Sequence, residues 1–205
     1  MKKFYILLVI IFLFGGPLLS KPSDINFNVY RNDSKIGYHK LTFSKSGLEL
    51  NVLIEIEFFV KFLGINFYSY KHINREKWKN NRMISIESST NINGKDLNCK
   101  VDDPESSVIP SSYWNYLLVK NQNVKQMLNT QDCSIIDIQI RKVGREKIYN
   151  KFLVADHFKI TGKEITGEIV DIDIWYNLKK EWVKMIFKKD DSKIEYFLEE
   201  YDDYK

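Results

Sequence analysis

Apolar side chains recur at every second position along most of this chain, and that period restricts what it can fold into. Leu48, Leu50, Val52, Ile54, Ile56, Phe58 and Val60 share one face of an extended strand, while Glu49, Asn51, Glu55 and Glu57 share the other. A helix would scatter them around its circumference; a strand separates them, because successive Cβ atoms point to opposite sides. Ile136, Ile138 and Ile140 against Asp137 and Gln139 repeat the pattern, as do Val170, Ile172 and Ile174 against Asp171 and Asp173.

Turn signals divide these runs at Asn32-Asp33, Ser46-Gly47, Asn80-Asn81, Asn93-Gly94, Thr161-Gly162, Thr166-Gly167 and Asp190-Asp191. Asn93-Gly94 is the sharpest, since a two-residue hairpin turn wants positive φ at both central positions. The spacing predicts about ten to twelve strands. So many strands and so little helix point to an all-β protein, a single antiparallel sheet curled into a β-roll or open barrel, because curling manages exposed edges. The rhythm breaks between Asp102 and Ser112, which is polar and carries Pro104 and Pro110. After it, Ser111 or Ser112 is placed to cap one short helix bearing Trp114, Leu117 and Leu118 over an opening of the sheet.

Residues 1–20 read differently. Lys2 and Lys3 precede the unbroken apolar run Phe4 to Phe14; Gly15-Gly16-Pro17 breaks it and Ser20 ends it. That is the order of a secretory signal peptide, with cleavage near Ser20 and residues 21–205 left as a single β-rich domain. The apolar run is shorter than the roughly 20 residues of a membrane span, so no stable transmembrane span is expected after cleavage. The expected location is periplasmic or secreted. Removing Lys2 and Lys3 leaves 31 − 2 = 29 basic residues against 27 acidic ones. Such a balance gives no reason to expect a nucleic-acid partner. In an oxidising compartment Cys99 and Cys133 are candidates for a disulfide. There is no CxxC spacing to support redox catalysis or a Cys-based zinc site.

The stretch from Phe67 to Lys79 is the candidate site. Tyr68, Tyr70, His72, Asn74, Glu76 and Trp78 share one face, and Lys71, Arg75, Lys77 and Lys79 the other. Lys and Arg are rarely buried, so the first face points inward. His39 alternates with Gly37, Leu41 and Phe43 and also faces in, where it could pair with Glu76 across strands. A buried polar row needs hydrogen-bond partners. It serves either to orient a small ligand or to fix strand register as a satisfied core network. His39, His72 and Glu76 include donor types of a metal site but lack HExxH or His-x-His spacing, so no metal and no cofactor is expected. His72 and Glu76 lie four residues apart, about 13 Å along one strand, too far for a direct catalytic dyad. His157 stands alone in sequence. There is no glycine-rich phosphate loop, GxSxG elbow or Cys–His nucleophile pattern.

Ile36-Gly37-Tyr38-His39, Tyr68-Ser69-Tyr70-Lys71-His72 running on to Arg75-Glu76-Lys77-Trp78, Thr90 to Gly94, Pro110-Ser111-Ser112-Tyr113-Trp114-Asn115 and Leu128-Asn129-Thr130-Gln131 occur in that order. Together they resemble an uncharacterised family of exported, β-rich bacterial proteins, a domain of unknown function. The resemblance implies a secreted domain of a Gram-negative bacterium and supplies no activity. It marks Gly37, His39, Tyr70, His72, Glu76, Trp78, Thr90, Gly94, Trp114 and Asn115. Asp132-Cys133 departs from the Thr-Gly turn the family pattern leads one to expect, which makes the disulfide a local feature.

The resulting expectation is an exported, non-enzymatic module that holds a small hydrophobic or amphipathic ligand inside its curled sheet. His39, Tyr68, Tyr70, His72, Glu76, Trp78, Trp114 and Asn115 are its candidate ligand-binding residues. The alternatives are a structural or assembly factor with a solid core, acting on an envelope protein partner, and a hydrolase-like enzyme whose site carries no recognisable motif.

Overall fold

The computed structural model describes residues 22–62, 65–105, 107–120, 124–164, 166–189 and 191–204. The expected signal peptide, with its cleavage point at Ser20, lies outside the described residues.

One arm of the sheet is the meander β1 (Ile25–Arg31), β2 (Ser34–Ser46), β3 (Glu49–Phe62), β4 (Ile65–Lys79), β5 (Arg82–Ile92) and β6 (Lys95–Asp102). The other runs through β7 (Ile109–Pro110), β8 (Gln126–Leu128), β9 (Ile135–Ile148), β10 (Leu153–Lys163), β11 (Ile169–Asn177), β12 (Trp182–Lys189) and β13 (Ser192–Leu198). The strand order is β6-β5-β4-β3-β2-β1-β13-β12-β11-β10-β9-β8-β7. Every described pair is antiparallel except β7 with β8. The first strand therefore meets the last, Phe27 opposite Leu198 and Arg31 opposite Ile194. Two sequence-local meanders are sewn together in the middle of one sheet.

Local chemistry explains the hairpins. Asn32 and Asp33, Asn80 and Asn81, and Asn93 and Gly94 all adopt positive φ, as tight turns between twisted strands demand. Gly37 has a different task. A Cβ there would lie 1.8 Å from the Glu57 carbonyl oxygen, so only glycine lets β2 approach β3 this closely. Three sequence expectations need correction. Among the described residues thirteen strands form, because the short β7 and β8 carry too few residues to show a period. Thr161-Gly162 is no turn but lies within β10, where Gly162 pairs with Ile138 and Val170. Leu48 belongs to the β2–β3 turn and is 71% exposed.

The sheet is open, yet its arms meet. Cys99 on β6 and Cys133, just past β8, form a disulfide with Cα atoms 4.9 Å apart. Closing a loop of this separation contributes about 3–4 kcal/mol in the chain-entropy model. Beside it the Ser88 hydroxyl of β5 donates to the Thr130 carbonyl. The connection from β6 to β9 packs against the inner face. It includes the helix α1 (Leu117–Lys120), with Leu118 and Val119 buried, and the buried Met127 and Leu128. The helix differs from the sequence expectation. Its cap is Asn115, whose Oδ1 accepts the Leu117 N–H at 2.9 Å, and Trp114 precedes it. Asn outcompetes the serines because its side chain reaches its own backbone two residues on. Among the described residues no helix is long and apolar enough to cross a membrane.

Candidate functional site

The alternating strand β4 places its polar row where the period predicts. Tyr70, His72, Asn74, Glu76 and Trp78 are all buried, whereas Lys71, Arg75, Lys77 and Lys79 on the opposite face are exposed. Tyr68, nearer the hairpin end, is only partly buried. What fills the space above this row is the β6–β9 connection.

Glu76 is the clearest case. Its Oε2 accepts the indole N–H groups of Trp78 at 2.8 Å and Trp114 at 2.9 Å. Its Oε1 accepts the Asn74 amide at 2.9 Å. Trp114 also packs edge-on against Phe43 and Trp78, with centroids 5.2 Å apart in each case. The carboxylate is thus a fastener between β4 and a segment some 38 residues away. Burial pushes its pKa up, and the surrounding donors oppose this only in part.

His72 is held similarly. Its Nδ1 lies 2.7 Å from Thr90 Oγ1 and its Nε2 3.4 Å from Thr130 Oγ1. Burial lowers its pKa to about 4, so it is neutral at pH 7. Tyr70 stacks between Phe58 and His72. His39 does not pair with Glu76. It lies opposite Phe27 and Ile56, ringed by Phe27, Trp182 and Tyr196, and its two ring nitrogens have no hydrogen-bond partner among the described residues. Burial, with the nearby His72 adding to it, lowers its pKa to about 3. Asn115 is occupied as the helix cap. The row therefore reads mainly as satisfied polar core. Among the described residues no group of His, Cys, Asp and Glu could hold a metal ion.

An open space lies away from this row. An open cleft of about 740 Å³ sits at one end of the curl, between Phe43, Trp114, Tyr116 and Trp182 on the aromatic side and Lys179 and Glu200 on the rim. Of the sequence-derived candidates, Trp114 alone lines it. Period-two reasoning missed the cleft because most of its walls are turns and strand ends, where alternation stops.

A charged cluster marks its edge. Asp156 is buried and receives Arg145 Nε at 2.8 Å, Lys142 at 3.1 Å and Lys180 at 3.3 Å. The Arg145 hydrogen bond, joined by those of the lysines, outweighs burial and holds its carboxyl well below the usual range. Lys180 also sits 4.8 Å over the Tyr116 ring. His157 alternates with the buried Asp156 and Phe158 and so lies on the outer face, beside a bulge whose extra residue is Val143 of β9. There His157 stacks on Trp175 at 4.3 Å and contacts Asp173 at 2.7 Å and Glu146 at 3.3 Å.

Comparison with known proteins agrees with this architecture. The crystal structure of a β-barrel-like protein of Domain of Unknown Function DUF1849 from Brucella abortus superposes with a TM-score of 0.54 at 6% sequence identity, covering 85% of this chain and 94% of that one. At that identity the likeness concerns the fold alone. No curated protein matches the sequence. The profile of the Domain of unknown function (DUF6134) matches residues 27–199, and the chain belongs to that family.

Proposed function

We propose that the protein is exported to the cell envelope and there holds a small amphipathic ligand, in the end cleft rather than deep inside the curl. The observation that carries this reading is the cleft's two-sided chemistry. The half-buried Trp114 and Tyr116, backed by the buried Phe43 and Trp182, offer an aromatic wall to an apolar body, while Lys179, Glu181 and Glu200 offer charge to a polar head. Ligand sites are commonly concave and largely apolar with a few polar groups that set orientation. A volume near 740 Å³ falls within the usual range of about 300–1,000 Å³ for such sites.

An anilinonaphthalene sulfonate dye tests it, being apolar with one charged end. The expected result is saturable binding of one dye per chain. Leu153 lines the cleft and is half-buried; Leu153→Trp should weaken binding at least about tenfold, a loss of roughly 1.4 kcal/mol. Asn26→Trp, from an exposed rim position, should act in the same direction. Unchanged binding in both variants, with their melting temperatures preserved, would refute the cleft as the site. Native mass spectrometry of the envelope-purified protein would then identify any natural ligand.

A second reading has its own support. The β4 row, hydrogen-bonded through His72, Glu76 and Trp78, and the packed connection favour a structural or assembly factor that acts on an envelope partner through its surface. A chain that binds no dye and carries no co-purifying molecule would favour this alternative.

A further inference from the structure

On β9, Lys142 and Arg145 stand three positions apart. In a regular strand an odd spacing sends two side chains to opposite faces. Here they share one. Arg145 pairs with Asp156 and Lys142 with Phe158, both buried on the inner face, because the register shifts between them and Val143 is left over. Bulges re-aim side chains and gather beside functional sites. A third cation arrives from the β11–β12 turn. Lys180 takes a φ of 70°, a left-handed conformation that disfavours a side chain such as lysine. The turn is held by Asn177, whose Oδ1 accepts the Lys179 and Glu181 N–H groups. Lys180 thereby reaches back to Asp156 and over the Tyr116 ring.

Three cations are more than Asp156 needs, since it sets one negative charge against three positive ones. Among the described residues none of the three forms an ion pair with another acid. Glu146 is engaged on the outer face by Trp175 and His157, and Glu181 by the Asn177 amide. Arg145 gives Asp156 its Nε and one Nη, so the rest of its fork is unspent. Asp156 is buried while the cations are half exposed. The carboxylate works as a peg that holds like charges side by side. Those charges repel one another, and an anion carrying two negative charges would complete the cluster.

The cluster adjoins apolar space. Lys180 and Tyr116 border the end cleft. Tyr116 and Lys142 border a smaller recess of about 170 Å³ with Val119, Ile140 and Phe158. An anion on these cations can therefore extend an apolar tail past Tyr116 into the cleft. Resting on the reading of the cleft as the site of an amphipathic ligand, we propose that the head of that ligand is a phosphate monoester bound by Lys142, Arg145 and Lys180. Such a group carries about −1.5 to −2 charge at pH 7 and several strong acceptor oxygens, which match the surplus charge and the unspent donors. A singly charged carboxylate or sulfonate would leave part of that surplus unanswered.

The test is titration calorimetry of residues 21–205 with octyl phosphate, octyl glucoside and inorganic phosphate, all below micelle formation. The first two share a tail, and the first and third share a head. The expected result is octyl phosphate bound about tenfold or more tighter than either of the others. In Lys142→Gln/Lys180→Gln the affinity for octyl phosphate should fall about tenfold or more, while that for octyl glucoside is kept. Arg145 remains to pair with Asp156, so the melting temperature should hold. The preference of the parent chain is read without any variant, so a variant that fails to fold does not shield the proposal. Equal binding of the two amphiphiles by the parent chain would overturn the phosphate head and leave the cleft standing. Binding of neither would refute the cleft, and the head with it. Inorganic phosphate bound as tightly as octyl phosphate would assign the cluster to the free ion and overturn its link to the cleft. A folded double variant with the full preference for octyl phosphate would place the head elsewhere and equally overturn the assignment.

Discussion

Glu76 and Asp156 are both about 1% exposed, yet the protein treats their charges in opposite ways. Glu76 lies deep in the curl and is held by neutral donors, two indoles and an amide. Burial governs its proton affinity and raises it. Asp156 lies by the cleft among one arginine and two lysines, each roughly half exposed. There the hydrogen bonds from cations win and its proton affinity falls. The difference teaches that burial alone does not set a carboxylate's role. Glu76 fastens a distant segment to the sheet, whereas Asp156 gathers half-exposed cations at a rim.

The contrast is most directly broken by truncation. Glu76→Ala strands the N–H groups of Trp78 and Trp114 without an acceptor, and should cost on the order of 3–4 kcal/mol in denaturant unfolding. An equal loss from Asp156→Ala would erase the distinction, because the cations around Asp156 can turn to solvent when it is removed.

Replacing both bridging cysteines by serine should cost about 3 kcal/mol. It should also shrink the penalty of Glu76→Ala, since Trp114 lies on the connection that the bridge tethers. Strict additivity in a double-mutant cycle would show that the bridge and the Glu76 fastener act independently.

The smallest effects come from removing charge while keeping shape. Asp156→Asn should cost about 1 kcal/mol and lose sensitivity to salt, because its cations are well screened. The pH dependences should have opposite signs. The folded pKa of Glu76 is raised, so its contribution is fully present below its ordinary value of 4.5 and lost as pH rises through the folded value. That of Asp156 is lowered, so its contribution is present above its ordinary value of 3.8 and lost as pH falls through the folded value. Stability curves of Glu76→Gln and Asp156→Asn should therefore flatten on opposite sides. His39 and His72, with pKa values lowered to about 3 and about 4 from 6.5, add a loss of stability as pH falls below 6.5. His39→Phe should remove its share without harm at pH 7, since the ring gives up no hydrogen bond.

Much of the sheet was legible because its signals are local. Asn93-Gly94 carries its own positive φ, and Val170, Ile172 and Ile174 declare their buried face by spacing alone. The inward row on β4 followed from the same period. Its partners did not, because Trp114 and Thr130 reach Glu76 and His72 from 38 and 58 residues away. The cleft was illegible for a related reason: Phe43, Trp114 and Trp182 have no sequence relation that brings them together. His157 was read as isolated because its neighbours Trp175, Asp173 and Glu146 come from other strands.

By itself, the sequence determined which side chains each strand would bury, where the main hairpins would turn and that two cysteines were available to pair. These follow from backbone geometry acting over a few residues. The tertiary structure decided what the buried polar groups would touch, since it alone folds the β6–β9 connection across the inner face and brings the first strand against the last. A hydrogen bond or a cleft depends on distances through space, and in a curled sheet those are set by the path of the whole chain rather than by the order of its neighbours.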